Sequence, residues 1–286
     1  MMKMHDDEFE KKLKANEEYF YDQHKKLFDL NVLLFRSLSD VLDKRVQNLR
    51  LNSDFQWVVN FLFCRSYRLH WTILILCQKG FGQEASILLR SLMEHVVNIA
   101  WIEKEKSDER AKLFLDYFHI ARKTLYNKYE KHGIQLNLTD AQKELLESTE
   151  EIEKAYMEVK DNYSNECYWV PLSIRKRALD VKEEYTWDFY YWYYSFITHP
   201  SSASKLEFVR QGEEGHHFVI GPSDLMIRDV LHLSCKYLLL SFDMWNKVFE
   251  LGLEGHVQEF TEKLKSISFV RPDQQSSMQE PKADSI

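Results

Sequence analysis

QEASILLRSLMEHVVNIAW, residues 83–101, is apolar on nearly every side yet carries Arg90, Glu94, His95 and Asn98. A surface helix shows one apolar stripe, whereas a segment greasy all round reads as a helix buried in a core. At about 100° per residue, Gln83, Arg90, Glu94 and Asn98 fall on one narrow stripe. An unpaired buried charge costs on the order of several kcal/mol, so that stripe needs partners. Who pairs with Arg90 and Glu94 is the question the rest of the chain has to answer.

Working outward, Gly80-Phe81-Gly82 ends the preceding apolar run with a helix C-cap and a tight turn. That run, Asp54 to Lys79, opens at an N-cap signal, Asn52-Ser53. It contains Arg65, Arg68 and His70, too costly at depth for a plain membrane span, so it reads as a second core helix. Two such helices joined by so short a turn form an antiparallel αα-hairpin.

Upstream, Asp6 to about Leu51 alternates charged and apolar residues at helical spacing. It is too long for one ordinary helix, and a break is expected near Asn31. Downstream, Ser107 caps a helix that runs to Lys131 and stops at His132-Gly133. Thr139-Asp140-Ala141-Gln142 has capping-box spacing and opens a charged helix to about Asp161. Ser173 to Asp180 forms a short helix. Thr186 caps WDFYYWYYSFITH, which Pro200 ends. Leu206–Val209 and His217–Ile220 flank a Gly-rich stretch and predict one small β-hairpin. Pro222-Ser223 starts a long apolar helix to about Glu250, and a last amphipathic helix covers Glu254 to Ser268. Arg271 to Ile286 is polar and aperiodic and reads as a disordered tail. The expected architecture is an all-α bundle of about seven to nine helices with one β-hairpin insertion. It divides into N-terminal helices over 1–52, a bundle domain over 53–270 and the tail over 271–286.

The composition agrees. The chain of 286 residues is 44% hydrophobic and 14% aromatic, with only 8 Gly and 5 Pro, which favours long helices over many strands. A net charge of −7 argues against nucleic-acid binding through a globally basic surface. Cys64, Cys77, Cys167 and Cys235 stand far apart, and neither a zinc site nor a disulfide framework is expected. The N-terminal residues lack an apolar signal region. These features predict a cytoplasmic protein without cofactor or membrane.

The residues that could carry chemistry are Arg90 with Glu94, and Ser195 with His199, each pair at i,i+4 spacing on a core-rich helix. Packed face to face, they would meet in an apolar surround that shifts pKa values and strengthens hydrogen bonds. The alternative is a buried network that fixes helix register. A serine-hydrolase triad fails, because Asp188 lies about 16 Å along the helix from His199 and no Gly-x-Ser-x-Gly elbow exists. A di-iron site fails because Glu94 and His95 are adjacent and point about 100° apart. The aromatic run Tyr190 to Tyr194 reads as core, and His216-His217 as a polar edge. Arg175, Lys176 and Arg177 form the one compact basic cluster, a candidate phosphate contact.

Two resemblances bear on function. Arg90-x4-His95 fits the Arg-x4-6-His spacing of HEPN ribonucleases, in which the pair is thought to position RNA for attack by its own 2′-hydroxyl. On a straight helix, however, Arg90 and His95 project about 140° apart, and His95 lies with Leu88, Leu92 and Ile99 as a packed neutral histidine would. The second is broader. ASILLRSLMEHVVNIAW, then WYYSFITHPSSAS, then EFVRQGEEGHHFVIGPS, over roughly Phe55 to Phe249, resembles a bacterial all-α family of unknown function. Its marks are Arg-x-x-x-Glu, then Tyr-Ser-x-x-x-His. Arg90 and Glu94 match the first; Tyr194, Ser195 and His199 match the second. By analogy such proteins are HEPN-like and occur in anti-phage or toxin systems.

The resemblance therefore implies a metal-independent ribonuclease of a bacterial stress or phage-defence system. His199 would act as general acid or base and Arg90 would stabilise phosphate charge. Glu94 would orient one of them, and Ser195 or Tyr194 would donate a hydrogen bond. RNA and a partner protein of a defence system are the expected partners. The alternative is a non-enzymatic, homo-oligomeric interaction module whose polar cluster is structural.

Overall fold

The computed structural model describes residues 3–45, 49–105, 107–133, 149–163, 169–184, 187–199, 202, 205–212 and 215–267. Helices α1 (Lys3–Gln23), α2 (Lys25–Arg45), α3 (Asp54–Gln78), α4 (Gly82–Lys104) and α5 (Ser107–Lys131) come first. They are followed by α6 (Thr149–Val159), a 3-10 turn Lys160–Asn162, α7 (Ile174–Asp180) and a π-helical turn Trp187–Tyr191. Then come α8 (Trp192–Thr198), α9 (Lys205–Phe208), strands β1 (Val209–Gly212) and β2 (Gly215–Phe218), α10 (Ile227–Val248) and α11 (Glu254–Ser266). The chain is all-α, with β1 and β2 paired antiparallel as its hairpin.

The elements cluster into two compact units. One comprises residues 1–49, 63–95 and 189–286; the other comprises 50–62 and 96–188. In the first, α2 and α11 both pack on α10. Leu34, Leu38, Phe63, Leu89, Leu92 and Trp245 are almost wholly removed from water, each worth about 1.5–3 kcal/mol of burial. Phe63 stacks on Trp245 with centroids 4.7 Å apart. In the second unit α5 packs along α6, and Trp169 meets Trp101 and Phe114 edge to face at 5.7 and 5.2 Å. The Arg110 guanidinium lies 3.8 Å from the Trp101 ring.

The α3–α4 hairpin forms as its sequence predicts. Ser53 Oγ accepts from the Gln56 N–H at 3.2 Å, capping α3. Gly80 turns the chain at φ +84°, a conformation that favours glycine. Ser66 on α3 and His95 on α4, equally far from that turn, are in hydrogen-bond contact at 3.3 Å.

Several boundaries differ from expectation. The break in the N-terminal segment falls at His24, not Asn31. Asn31 stays within α2, fully buried, and its Nδ2 donates to the Leu27 and Leu231 carbonyls at 2.7 and 3.3 Å. Helix α10 starts at Ile227, not Pro222, because the segment before it is held by the α3–α4 turn. The Ser223 N–H donates to Gly80 O at 2.9 Å, Phe81 and Ser223 form a parallel bridge, and Met226 takes φ +64°. The strands sit closer to the hairpin turn than Leu206–Val209 and His217–Ile220, because Lys205–Phe208 completes a helical turn first. The capping box at Thr139, the Thr186 cap, the Pro200 stop, Cys167 and the tail from Arg271 lie outside the described residues.

Candidate functional site

The polar stripe of α4 finds its partners, and Arg90 and Glu94 find a tyrosine. Arg90 Nη2 donates to Tyr191 Oη at 2.5 Å, and Tyr191 Oη donates to Glu94 Oε1 at 2.7 Å. The Arg90 and Glu94 side chains also approach each other directly, at 3.5 Å. The guanidinium lies over the tyrosine ring, 4.5 Å from its centroid, close enough for a cation–π contribution. The phenol thus accepts from the cation and donates to the anion, linking the three groups, while Arg90 Nε has no hydrogen-bond partner among the described residues. Burial, reinforced by the Glu94 carboxylate, pushes the Tyr191 hydroxyl well above its ordinary pKa, so it stays protonated as a donor. The side chains of Arg90 and Glu94 keep 24% and 36% exposure, so the cluster has an open side.

The π turn brings Tyr191 there. A π turn takes more residues per turn than an α-helix, and such bulges recur at functional sites. The sequence expects Asp188, Tyr191, Trp192, Ser195 and His199 on one α-helical face. The wider turn separates them. Tyr191 is buried on the cluster, while Phe189 and Trp192 are 63% and 60% exposed. Asp188 receives Arg175 Nε and Nη2 at 3.1 and 3.2 Å.

The remaining candidates go elsewhere. Ser195 Oγ donates back to the Tyr191 carbonyl at 2.8 Å, as mid-helix hydroxyls commonly do, and so touches the cluster only through the backbone. Tyr194 is buried, and burial raises its pKa well above the ordinary value; its hydroxyl has no hydrogen-bond partner among the described residues. His199 is the exposed C-cap of α8, its backbone N–H donating to Ser195 O. No hydrogen bond among the described residues joins it to Arg90 or Glu94. Tyr191 is the member that sequence reasoning assigned to core packing alone.

The ends of the stripe are also engaged. Gln83 Nε2 donates to Ser223 Oγ at 3.3 Å, and Asn98 Oδ1 accepts from Arg177. Arg177 is therefore an internal group, 4% exposed and 4.9 Å over the Trp169 ring. Of the basic cluster only Arg175 and Lys176 are exposed. His95 is buried, with its pKa lowered to about 4 by desolvation and by Arg65, as a packed neutral histidine. His70, wholly buried against Ser234 Oγ at 2.6 Å, is likewise lowered to about 4 by desolvation. Cys77 and Cys235 are buried free thiols; burial raises both, Cys235 to about 12. Among the described residues no group of three or more His, Cys, Asp or Glu side chains is placed to hold a metal ion.

A model of the family of unknown function DUF5677 matches residues 56–217. The chain belongs to DUF5677. The DUF5677 segment takes in Arg90, Glu94, Tyr191, Ser195 and His199, so the whole cluster lies within the family region, and it ends before α10 and α11. Among curated proteins and among solved structures, none matches significantly. By length and composition α4 is apolar enough to cross a membrane, but 67% of the relevant window is buried in the fold, as in the core helix of a globular protein.

Proposed function

We propose that this DUF5677 chain is a non-enzymatic helical interaction module, that its partner is a second copy of itself, and that the Arg90–Tyr191–Glu94 circuit is structural. The observation that carries this reading is that the three groups bond to one another. The cation, phenol and carboxylate are hydrogen-bonded to one another, and the Tyr191 hydroxyl is held protonated rather than poised to exchange a proton near neutral pH. General acid–base work needs the opposite: a group whose pKa lies near the operating pH and whose hydrogen bond is offered to substrate. The same π turn that sets Tyr191 presents Phe189 and Trp192 to solvent, and exposed aromatic residues of this kind are the anchors of protein interfaces. Sedimentation of the wild type as a dimer, and of the Phe189→Ser, Trp192→Ser double variant as a folded monomer, supports the proposal. A monomeric wild type, or a dimer indifferent to both substitutions, overturns it.

A second reading is favoured by His199. Its exposure at the end of α8, together with the open side of Arg90 and Glu94, suits a HEPN-like, metal-independent ribonuclease of a bacterial stress or phage-defence system. His199 would be the general acid or base and Arg90 the phosphate contact. RNA cleavage lost on His199→Ala and on Arg90→Ala supports this reading; cleavage unchanged in both excludes it.

A further inference from the structure

Helices α10 and α11, outside the family region, enclose a cleft of about 400 Å3, within the range of small-ligand sites, about 300–1,000 Å3. The tight connection between them is held by Asn246. Its Oδ1 accepts from the Leu253 N–H at 3.0 Å, and its Nδ2 donates to Glu254 at 3.0 Å. The helices therefore run antiparallel, and the cleft lining can be ordered by distance from the turn. Asp243 and Val257 come first, Leu240 and Thr261 next, then Lys236 with Leu264 and Lys265, and His232 last. The floor is apolar: Leu239, Leu240, Val257 and Leu264. Cations mark the end away from the turn. At the turn end, Asp243 is already engaged by Lys247 at 2.6 Å. From His232 to Asp243 the α10 wall is about 16 Å long.

We infer that this cleft binds a single-chain aliphatic carboxylate, its tail along Leu239, Leu240, Val257 and Leu264 and its headgroup between Lys236 and Lys265. Volume and charge both select this class. A cleft of about 400 Å3 suits one alkyl chain rather than the two of a membrane lipid. The cationic end matches one anionic group, and the apolar floor rejects a small hydrophilic anion. Among the described residues Lys265 forms an exposed pair with Glu262 at 2.8 Å, a weak interaction that a ligand can replace. His232, at the same end, has its pKa lowered to about 4 chiefly by desolvation, with a further contribution from the positive charges of Arg228 and Lys236.

The test is calorimetric titration of the full chain with dodecanoate below its micellar concentration. Saturable binding at one site per chain is expected. Leu240→Trp, which fills the cleft from a half-buried position, should abolish it, and Thr261→Phe provides an independent filling variant. Lys236→Gln and Lys265→Gln should each weaken binding by about threefold, and the uncharged dodecanol should bind more weakly than the acid. Absence of a saturable heat, binding unchanged by both filling variants while they remain folded, or dodecanol binding as tightly as dodecanoate overturns the inference. So does capture by anionic vesicles to the same extent in wild type and Leu240→Trp, without dodecanoate binding, since that is surface charge alone.

Discussion

At the scale of single residues, Tyr191 serves a cation and an anion with one hydroxyl. Tyr191→Phe keeps the ring beneath the Arg90 guanidinium but leaves a half-buried ion pair without its bridge. Hydrogen bonds to charged groups are worth about 1.5–3 kcal/mol when buried, and the open side of this cluster reduces that to about 1–2 kcal/mol. Urea denaturation of Tyr191→Phe should show that loss in the midpoint with an unchanged slope; an unchanged midpoint would mean the bridge carries no stability. The buried histidines give a second prediction. His70, His95 and His232 have folded pKa values near 4 against an ordinary 6.5. Their unfolded forms take up protons first as pH falls, so stability is full above about 6.5 and declines toward 4. The urea midpoint should already drop between pH 6.5 and 5, before most carboxylates titrate, and a flat midpoint over that interval would contradict the burial of these rings. The polar stripe was legible in the sequence because charge on an apolar helix is conspicuous. Its partner was not, because a tyrosine inside an aromatic run has the same sequence signature whether it packs or bridges.

At the scale of elements, the decisive device is the α3–α4 turn. A Cβ on Gly82 would lie 2.2 Å from the Leu225 carbonyl oxygen, a backbone atom that cannot swing aside. Gly82→Ala should therefore force the segment before α10 away from the turn and cost about 1–3 kcal/mol. Gly255→Ala is the control: no atom lies within 4 Å of its added Cβ, its φ is not positive, and it sits in α11. It should be neutral or stabilise by up to about 1 kcal/mol through helix propensity. Thermal unfolding of the two variants checks both, and equal effects would remove the close approach as an explanation. The hairpin turn itself was readable from Gly80-Phe81-Gly82 and the Ser53 cap, since those signals are local. The late start of α10 was not, because it depends on the Ser223 N–H reaching Gly80 across the fold. Nor was the π turn, because a pattern read at 3.6 residues per turn assumes the geometry that Trp187–Tyr191 departs from.

At the scale of the whole molecule, helical class follows from scarce glycine and proline and from long apolar periodicities, all of which the amino-acid sequence displays directly. The division into two compact units is not displayed there, because two of its four boundaries fall inside α3 and α4, between residues 62 and 63 and between 95 and 96. No composition shift marks a boundary inside a continuous helix. Function was the least legible level, since Arg90, Glu94, Ser195 and His199 at helical spacing serve a structural network and a catalytic one equally well. The routing of hydrogen bonds from Arg90 through Tyr191 to Glu94 is what motivates the structural proposal. The central claim is that Arg90, Tyr191 and Glu94 act as one structural unit, and a double-mutant cycle on urea stability tests it most directly. Glu94→Gln and Tyr191→Phe should couple by about 1 kcal/mol or more, the double variant losing less than the sum of the singles. Additive losses, to within about 0.3–0.5 kcal/mol, would contradict it.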